Sequence, residues 1–196
     1  MSSSKRIYWI IAPAAAGKST MVNQLKAGDS EGKTLFLSDL DEMVDLLKND
    51  IEEKRHRRLD GDRFRVTDPE VYNEAVINIG EKILADEEHE VVVAEIACGE
   101  DVEGKFDLSV KGRLDLLPKE VLRESMFIYI NTGVEMRRDL NLERKGVSRT
   151  PPEVFEGMFL RDDFVETMEE RRYPYVVLEN SGDQQVFLAT VDSLSL

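Results

Sequence analysis

The sequence predicts an α/β protein of three layers, in which helices cover both faces of a five-stranded parallel sheet. Two patterns carry the prediction: short β-branched apolar segments alternate with helical segments, and a Gly-Lys-Ser-Thr sequence follows the first of them. Strands that alternate with helices form parallel sheets that are covered on both faces. No internal repeat or linker divides the 196 residues, so we expect a single domain over 1–196.

Five apolar segments have the composition of buried strands. They are Ile7–Ile11, Thr34–Leu37, Val91–Ala94, Met126–Ile130 and Tyr175–Leu178. In parallel α/β sheets, ligands bind beyond the carboxyl ends of the strands. Residues that directly follow these segments are therefore the first candidates for a site.

Segments with helical spacing of apolar residues separate the predicted strands. One of them begins at Asp68-Pro69, a cap followed by a proline at the first helical position. The predicted helices are Lys18–Lys26, Leu40–Lys48, Val71–Ile83, Pro118–Glu124, Val134–Lys145, Pro152–Glu170 and Gln184–Ser193. The intervening segment Asp101–Leu117 is rich in Gly, Lys and Asp, and we expect it to be a loop.

Charge and cysteine content limit the partners and the compartment. The net charge of −14 repels nucleic acids and anionic membranes at long range, although a locally basic cleft would still allow nucleic acid to bind. Cys98 is the only cysteine, so no intrachain disulfide is possible. No segment resembles a membrane span or a signal peptide. We expect a cytoplasmic monomer or homodimer.

The segment between the first strand and the first helix has the composition of a phosphate-binding loop. It consists of Ala12-Pro13-Ala14-Ala15-Ala16-Gly17-Lys18-Ser19-Thr20. Small residues let backbone N–H groups approach phosphate oxygens, and the helix that begins near Lys18 directs its positive end at them. Lys18 can reach the outer phosphates, and the Ser19 hydroxyl can ligate Mg²⁺. The residues from Pro13 to Thr20 thus predict ATP and Mg²⁺ as cofactors.

The loop departs from the usual G-x-x-x-x-G-K-[ST] pattern because Ala12 replaces the first glycine. Alanine is compatible with this position if its φ is negative. A chance match to the relaxed pattern has a frequency of about one in a hundred over this length. The match also lies between a strand and a helix, as phosphate binding requires.

From this motif onward the chain resembles the P-loop kinases of the nucleoside monophosphate kinase type, which include shikimate, gluconate and deoxynucleoside kinases. The resemblance covers the whole length in the order of elements, but only the phosphate loop is specific, and no single member matches. It implies a P-loop NTPase fold with an acceptor-binding region at about 40–118 and a lid at about 134–165. It also implies transfer of the γ-phosphate of ATP to a small acceptor, either a nucleoside, a nucleotide or another small anionic metabolite.

Acidic residues after two strands fit the carboxylates of this group. Asp39 and Asp41 form an Asp-x-Asp similar to that of shikimate-kinase-like enzymes, and Glu95 follows the third strand, as an acid does in deoxynucleoside kinases. Asp39 or Glu95 would hold Mg²⁺ or accept the proton of the acceptor hydroxyl, and Asp41 would contact the acceptor. The alternatives are a helix N-cap for Asp39 and a solvated strand end for Glu95.

Arginines after the fourth strand are similar to the lid arginines of these kinases, which close over ATP and stabilise the transferring phosphoryl group. The resemblance assigns Arg138 and Arg144 to catalysis and Arg137 to ATP binding, and Arg149 follows them in the chain. A solvated helix with ion pairs is the alternative.

A turn after the last strand is similar to the Asn-Ser-Gly turn that lies along adenine in dephospho-coenzyme A kinase. The resemblance assigns Asn180 and Gly182 to the nucleotide. These residue types also favour simple turns, which is the alternative.

A dense basic cluster lies between the second and third strands, where kinases of this type bind the acceptor. It comprises Lys54-Arg55-His56-Arg57-Arg58 followed by Arg63 and Arg65, with acidic residues interleaved. Arginine suits phosphate and carboxylate groups, so Arg55, Arg58 and Arg63 are the expected acceptor ligands. A solvated helix face is the alternative, and Arg113 in the later loop is a further candidate to face the acceptor.

Other functions remain compatible with a phosphate loop. A GTPase or ATPase switch needs no acceptor, but the sequence has neither an Asn-Lys-x-Asp guanine motif nor an Asp-x-x-Gly after a strand. A kinase acting on a polynucleotide would have to overcome the net charge of −14. A binding module without chemistry would not need Ser19 as a magnesium ligand.

Overall fold

A five-stranded, all-parallel sheet forms the centre of the protein, as the sequence predicts. The structure is a computed structural model that describes residues 5–48, 50–52, 54–59, 64–102, 104–145 and 149–194. Its strands are β1 (Arg6–Ala12), β2 (Thr34–Ser38), β3 (His56–Arg58), β4 (Phe64–Val66), β5 (Val91–Ala97), β6 (Ser125–Asn131) and β7 (Tyr175–Glu179). The central sheet has the order β2-β5-β1-β6-β7, whereas β3 and β4 pair with each other.

Helices cover both faces of the central sheet. They are α1 (Lys18–Gly28), α2 (Asp39–Leu47), α3 (Glu70–Ala85), α4 (Val110–Asp115), α5 (Lys119–Arg123), α6 (Val134–Glu143), α7 (Pro152–Met158), α8 (Phe164–Arg171) and α9 (Gln184–Asp192). In the described ranges, no helix combines the length and the apolarity that crossing a lipid bilayer requires.

Alternate residues of each strand supply two apolar cores, one on each face of the sheet. In β1, Trp9 and Ile11 pack toward α3, α4, α5 and α8, while Ile10 and Ala12 pack toward α1 and α9. All four side chains are completely buried, which explains the continuous apolar sequence of this strand. A third core, which includes residues of α2, α7 and β4, lies above the carboxyl ends of the strands.

The strand order places the phosphate loop at the topological switch point of the sheet. Strand β1 pairs with β5 on one side and with β6 on the other, so the chain winds in opposite directions from β1. Crevices at such points are the usual ligand sites of open α/β sheets. The loop leaves the carboxyl end of β1 and enters α1 at this point.

Three segments differ from the sequence-based prediction. The acceptor region contains the β3–β4 hairpin, which the helical spacing did not indicate. The predicted loop after β5 contains α4, where the Ser109 hydroxyl accepts a hydrogen bond from the Gly112 N–H. The predicted helix Pro152–Glu170 is two helices, α7 and α8, because the residues from Phe159 to Asp163 are not helical.

The acidic residue Asp50 organises the hairpin. Its carboxylate accepts hydrogen bonds from the backbone N–H groups of Lys54 and Arg55 and lies 2.7 Å from Nδ1 of the buried His56. Asp50, one of the acidic residues interleaved with the basic cluster, therefore stabilises the fold of the hairpin. Through the pairing of β3 with β4, Asp50 also fixes the position of Arg65 at the edge of the site.

Candidate active site

The backbone of the phosphate loop presents unused N–H donors at the start of α1. The N–H groups of Gly17, Lys18, Ser19 and Thr20 find no hydrogen-bond acceptor in the described part of the chain, and no side chain caps the helix. By contrast, the Asp183 carboxylate caps α9 by accepting from two backbone N–H groups. An uncapped helix N-terminus with free donors suits an anion such as phosphate.

Two residues of the loop adopt left-handed backbone conformations. Gly17 has φ 110°, and a Cβ atom at this position would lie 2.9 Å from Nδ2 of Asn180. Ala15 has φ 64°, which is strained for a residue with a Cβ atom. Ala12 belongs to β1 and has no positive φ, so its replacement of the usual glycine is compatible with the loop.

The Lys18 side chain folds back over its own loop. Nζ donates hydrogen bonds to the carbonyl oxygens of Ala12 (2.9 Å) and Pro13 (3.1 Å), and the side chain is buried. Burial lowers the pKa of the Lys18 ammonium, and the nearby carboxylates of Asp39 and Glu95 oppose this effect. The ammonium is therefore positioned at the loop before any phosphate is bound.

The far side of the loop is attached to the ends of β6 and β7. The carbonyl oxygen of Ala16 accepts hydrogen bonds from the Thr132 hydroxyl (2.8 Å) and from Nδ2 of Asn180 (3.0 Å). Oδ1 of Asn180 accepts in turn from the Gly182 N–H at 3.2 Å. Asn180 thus holds the turn after β7 against the phosphate loop, a role that the sequence did not predict.

One cleft, here called the hairpin cleft, lies between the phosphate loop and the β3–β4 hairpin. Its polar lining comprises Lys18, Ser19, Ser38, Asp39, Arg65, Tyr72, Glu95, Arg144, Arg149 and Thr150. Its apolar lining comprises Ala14, Leu40, Met43, Phe64, Val66, Ala97, Pro151, Val154 and Phe159. Phosphate-loop residues, carboxylates and arginines therefore meet in one cavity.

Asp39 lies in the hairpin cleft with a fixed orientation. It is the first residue of α2, and Ser38 occupies the N-cap position, so Asp39 is not the cap. Its Oδ2 accepts a hydrogen bond of 2.7 Å from the backbone N–H of Ala97 at the end of β5. The residue is only 4 % exposed, which suits a carboxylate that meets a substrate and not bulk water.

Glu95 is the second carboxylate of this cleft. It lies beside Ser38 in the parallel register of β5 and β2, two residues before the end of β5, so it does not end the strand. Burial raises the pKa of Glu95; Lys18 and a hydrogen bond from Ser38 oppose this effect, whereas Asp39 adds to it. Its buried Oε2 has no hydrogen-bond partner in the structure. A carboxylate oxygen in this state suits a hydrated Mg²⁺ ion.

A second cleft, here called the α9 cleft, lies on the other side of the phosphate loop. Its lining comprises Ala15, Gly17, Thr20, Leu140, Glu143, Arg144, Asn180, Gly182, Gln184 and Phe187. Asn180 and Gly182 therefore lie beside the loop, where the sequence places the nucleotide. Arg144 lines both clefts.

Asn141 and Thr150, which lie on either side of Arg144 and Arg149 in the sequence, are hydrogen-bonded to each other. The buried Asn141 in α6 donates from Nδ2 to the Thr150 carbonyl at 2.7 Å, and its Oδ1 accepts from the Thr150 N–H at 2.9 Å. Both arginines line the hairpin cleft, and Glu95 acts against the burial that lowers the pKa of Arg144. Asn141 could not be identified from the sequence, because a polar residue inside a helix has no distinctive spacing.

Two of the predicted lid arginines are held outside the clefts. The Arg137 guanidinium is buried and donates to three backbone carbonyls, those of Thr132, Phe159 and Leu160. Arg138 is paired with Glu135 and Glu156 on the surface. The donor groups of both arginines already have partners and neither residue lines a cleft, so the structure lends no support to the assignment of Arg137 to ATP or of Arg138 to catalysis.

The predicted acceptor ligands also lie elsewhere. Arg55 forms a bidentate ion pair with Glu74 and a third bond to Asp68, so it supports the hairpin. Arg58 and Asp41 are exposed and do not line the hairpin cleft, although Asp41 is close enough to help raise the pKa of Glu95. Arg63 lies outside the described residues. The arginines of the β3–β4 hairpin and of the segment after α6 that do line the hairpin cleft are Arg65 and Arg149, together with Arg144.

Arg113, a further candidate from the sequence, and the single cysteine Cys98 are both buried. Arg113 is 1 % exposed, donates to the Tyr72 carbonyl at 2.8 Å and lies 5.5 Å from the centre of the Tyr72 ring. It thus supports the wall of the hairpin cleft and is not part of its lining. Burial raises the pKa of the Cys98 thiol well above its usual value, which makes it a poor nucleophile.

Comparison with known proteins identifies the fold but no closer relative. No protein-family model and no curated protein sequence matches the chain. A sugar kinase from Janibacter sp. HTCC2649 has a TM-score of 0.55 and 11 % identity, with coverage of 96 % of this chain and 93 % of that one. Shikimate kinase from Acinetobacter baumannii, in complex with shikimate, has a TM-score of 0.54 and 13 % identity, with coverage of 98 % and 93 %. The chain therefore has the fold of P-loop kinases.

The left-handed conformation of Ala15 gives a testable difference between two neighbouring alanines. Ala15→Gly relieves a strain of about 1–2 kcal/mol, whereas Ala14→Gly relieves none. Both substitutions remove a buried methyl group and increase the conformational entropy of the unfolded chain. These two costs are therefore the same for both variants and cancel when their free energies of unfolding are compared. Chemical denaturation should find Ala15→Gly more stable than Ala14→Gly by about 1–2 kcal/mol. Equal stabilities would contradict the strained loop.

Proposed function

We propose that the protein is a kinase that transfers the γ-phosphate of ATP, bound with Mg²⁺, to a small acceptor in the hairpin cleft. The observation that carries the proposal is that two clefts flank one phosphate loop and share Arg144. A nucleotide switch needs only the cleft for its nucleotide. A second cleft that contains buried carboxylates next to the loop is expected of an enzyme with two substrates.

The donor would bind with its base in the α9 cleft and its phosphates along the loop. The N–H groups from Gly17 to Thr20 would donate hydrogen bonds to the phosphate oxygens. The Lys18 ammonium would give up its hydrogen bond to a loop carbonyl and donate it to an outer phosphate. Bound Mg²⁺ neutralises charge on the β- and γ-phosphates. The Ser19 hydroxyl and the unpartnered Oε2 of Glu95 are the groups that would hold it, directly or through water.

Asp39 is the residue best placed to act as the general base. The acceptor hydroxyl oxygen would form a bond to the γ-phosphorus while the bond from that phosphorus to the bridging oxygen breaks, so that ADP leaves. The hydroxyl proton would pass to Asp39, whose Oδ2 is held by the Ala97 N–H. Arg144, which faces both clefts, would stabilise the charge on the transferring group.

The hairpin cleft is lined in part by the acceptor region of 40–118, through Arg65 and Glu95, and in part by the segment of 134–165, through Arg144. The reaction fits a protein of the cytoplasm, where ATP is available.

The Lys18 ammonium should be essential for transfer but not for folding. Lys18→Ala should abolish ADP formation from ATP and Mg²⁺, measured against a panel of nucleosides, nucleoside monophosphates, hydroxy acids and sugars. The loop should survive, because removing a buried cation also removes its desolvation cost. Melting temperature and circular dichroism would verify the fold.

Lys26→Ala is the matched control, since Lys26 is exposed in the last turn of the same helix. It should retain the wild-type rate. Unchanged turnover in Lys18→Ala, with the fold intact, would contradict a role for the phosphate loop in catalysis.

Glu95 should affect stability and turnover in opposite directions. Because its folded pKa is raised above that of an unfolded chain, the stability it confers is present at low pH and is lost as the pH rises through the folded pKa. Glu95→Gln should therefore raise the melting temperature of the ligand-free protein at pH 7 to 8. The same change should lower turnover by at least about tenfold.

Glu90→Gln makes the same substitution just before β5, at an exposed position outside both clefts. It should change neither quantity. A Glu95→Gln variant with altered stability but wild-type turnover would show that Glu95 is structural.

A further inference from the structure

Two arginines of the hairpin cleft have no partner and no task in the proposed transfer. In the described part of the chain, the Arg65 and Arg149 guanidinium groups form no hydrogen bond or ion pair. Nε of Arg149 is buried and unpaired. A buried donor without an acceptor costs free energy, which a ligand anion can recover.

The hairpin itself places like charges together at this edge. Arg57 and Arg65 are directly opposite each other in the register of β3 and β4, an arrangement that destabilises a strand pair. Four cationic and two carboxylate side chains line the cleft, although the whole protein carries a net charge of −14. Lys18 and Arg144 serve the donor phosphates, which leaves Arg65 and Arg149 for an anion on the acceptor.

The remaining wall of the cleft is apolar. Phe64, Tyr72 and Phe159 contribute aromatic rings, and Met43 and Val154 lie among the aliphatic residues of the lining. The Tyr72 ring is fixed by edge-to-face contact with Phe106 at 5.6 Å and by the underlying Arg113. Such a wall favours an acceptor with an apolar body.

The lining offers little for reading a nucleobase. None of the described residues that line the hairpin cleft is Asn or Gln, the side chains that form paired hydrogen bonds with adenine. The pKa of the Tyr72 phenol is raised by burial to about 12, so it remains neutral. The charged groups of the cleft are instead the carboxylates of Asp39 and Glu95 and four cationic side chains.

From this arrangement, and on the basis of the proposed kinase function, we propose that the acceptor is an anionic alcohol with an apolar body. Its hydroxyl group lies at Asp39, its carboxylate or phosphate group binds Arg65 and Arg149, and its body packs against Phe64 and Tyr72. This assignment makes Arg65 and Arg149 the residues that determine acceptor specificity.

Matched probes test the assignment without requiring transfer. In the presence of ADP and Mg²⁺, calorimetry would measure the binding of 4-(hydroxymethyl)benzoate, its neutral amide 4-(hydroxymethyl)benzamide, 4-(hydroxymethyl)phenyl phosphate, adenosine and thymidine. The two anions should bind at least about tenfold tighter than the amide and the nucleosides. The relative affinity of benzoate and phosphate ester then shows which anion the site prefers.

Variants identify the groups responsible. Arg65→Met and Arg149→Met should each weaken the binding of the two anions by about tenfold and leave the affinity for the amide unchanged. Arg6→Met removes the same charge at the amino end of β1, far from the cleft, and should behave as wild type. ADP affinity should be the same in all three variants.

Other outcomes would overturn the assignment. These are equal binding of benzoate and amide, tighter binding of a nucleoside, no binding of either anion, or anion binding that survives both substitutions. The proposed function fails separately: if the anions bind as expected but neither the probes nor the panel is phosphorylated when ATP replaces ADP, the kinase activity is contradicted and the specificity assignment is not.

Discussion

The burial of the Lys18 ammonium is the interaction on which the site depends. A cation removed from water needs compensation, and here two loop carbonyls supply hydrogen bonds while Asp39 and Glu95 supply opposite charge. Glu95 lies in β5, the neighbour of β1, and Asp39 directly follows β2, the neighbour of β5 on its other side. The strand order of the sheet therefore brings together the groups that stabilise the buried Lys18 ammonium. A phosphate can replace the two loop carbonyls as the hydrogen-bond acceptor of this ammonium, so phosphate binding requires no further cation to enter the site.

The same order separates the two clefts. β5 and β2 lie on one side of β1 and supply the carboxylates of the hairpin cleft, while β6 and β7 lie on the other and supply the contacts to Ala16 that border the α9 cleft. The loop is thus attached on both sides, and its left-handed residues are held by structure around them. Arg144, which directly follows α6, joins the two halves because it lines both clefts.

The strands, the loop and the carboxylates could be predicted because each has a local cause: apolar β-branched segments, small residues before Lys18, and an acid after a strand. Which of the arginines face the cleft could not be predicted, since this depends on ion-pair partners that are distant in sequence. Arg55 is bound by Glu74 and Arg138 by Glu156, whereas Arg65 and Arg149 are not. Residues that act through backbone carbonyls, such as Thr132 and Arg137, also leave no pattern in the sequence. The hairpin was missed because strands of three residues are too short for a period to be visible.

The fate of the γ-phosphate tests the central claim most directly. The wild-type protein would be incubated with ATP labelled at the γ-phosphate, Mg²⁺ and a small-molecule extract of cells, and the labelled products would be separated. The account predicts that the label appears in an organic phosphate, and that this product is missing with the Asp39→Asn variant. Label that appears only as inorganic phosphate, at a rate unaffected by the extract, would contradict transfer to an acceptor and would identify the protein as a nucleotide hydrolase.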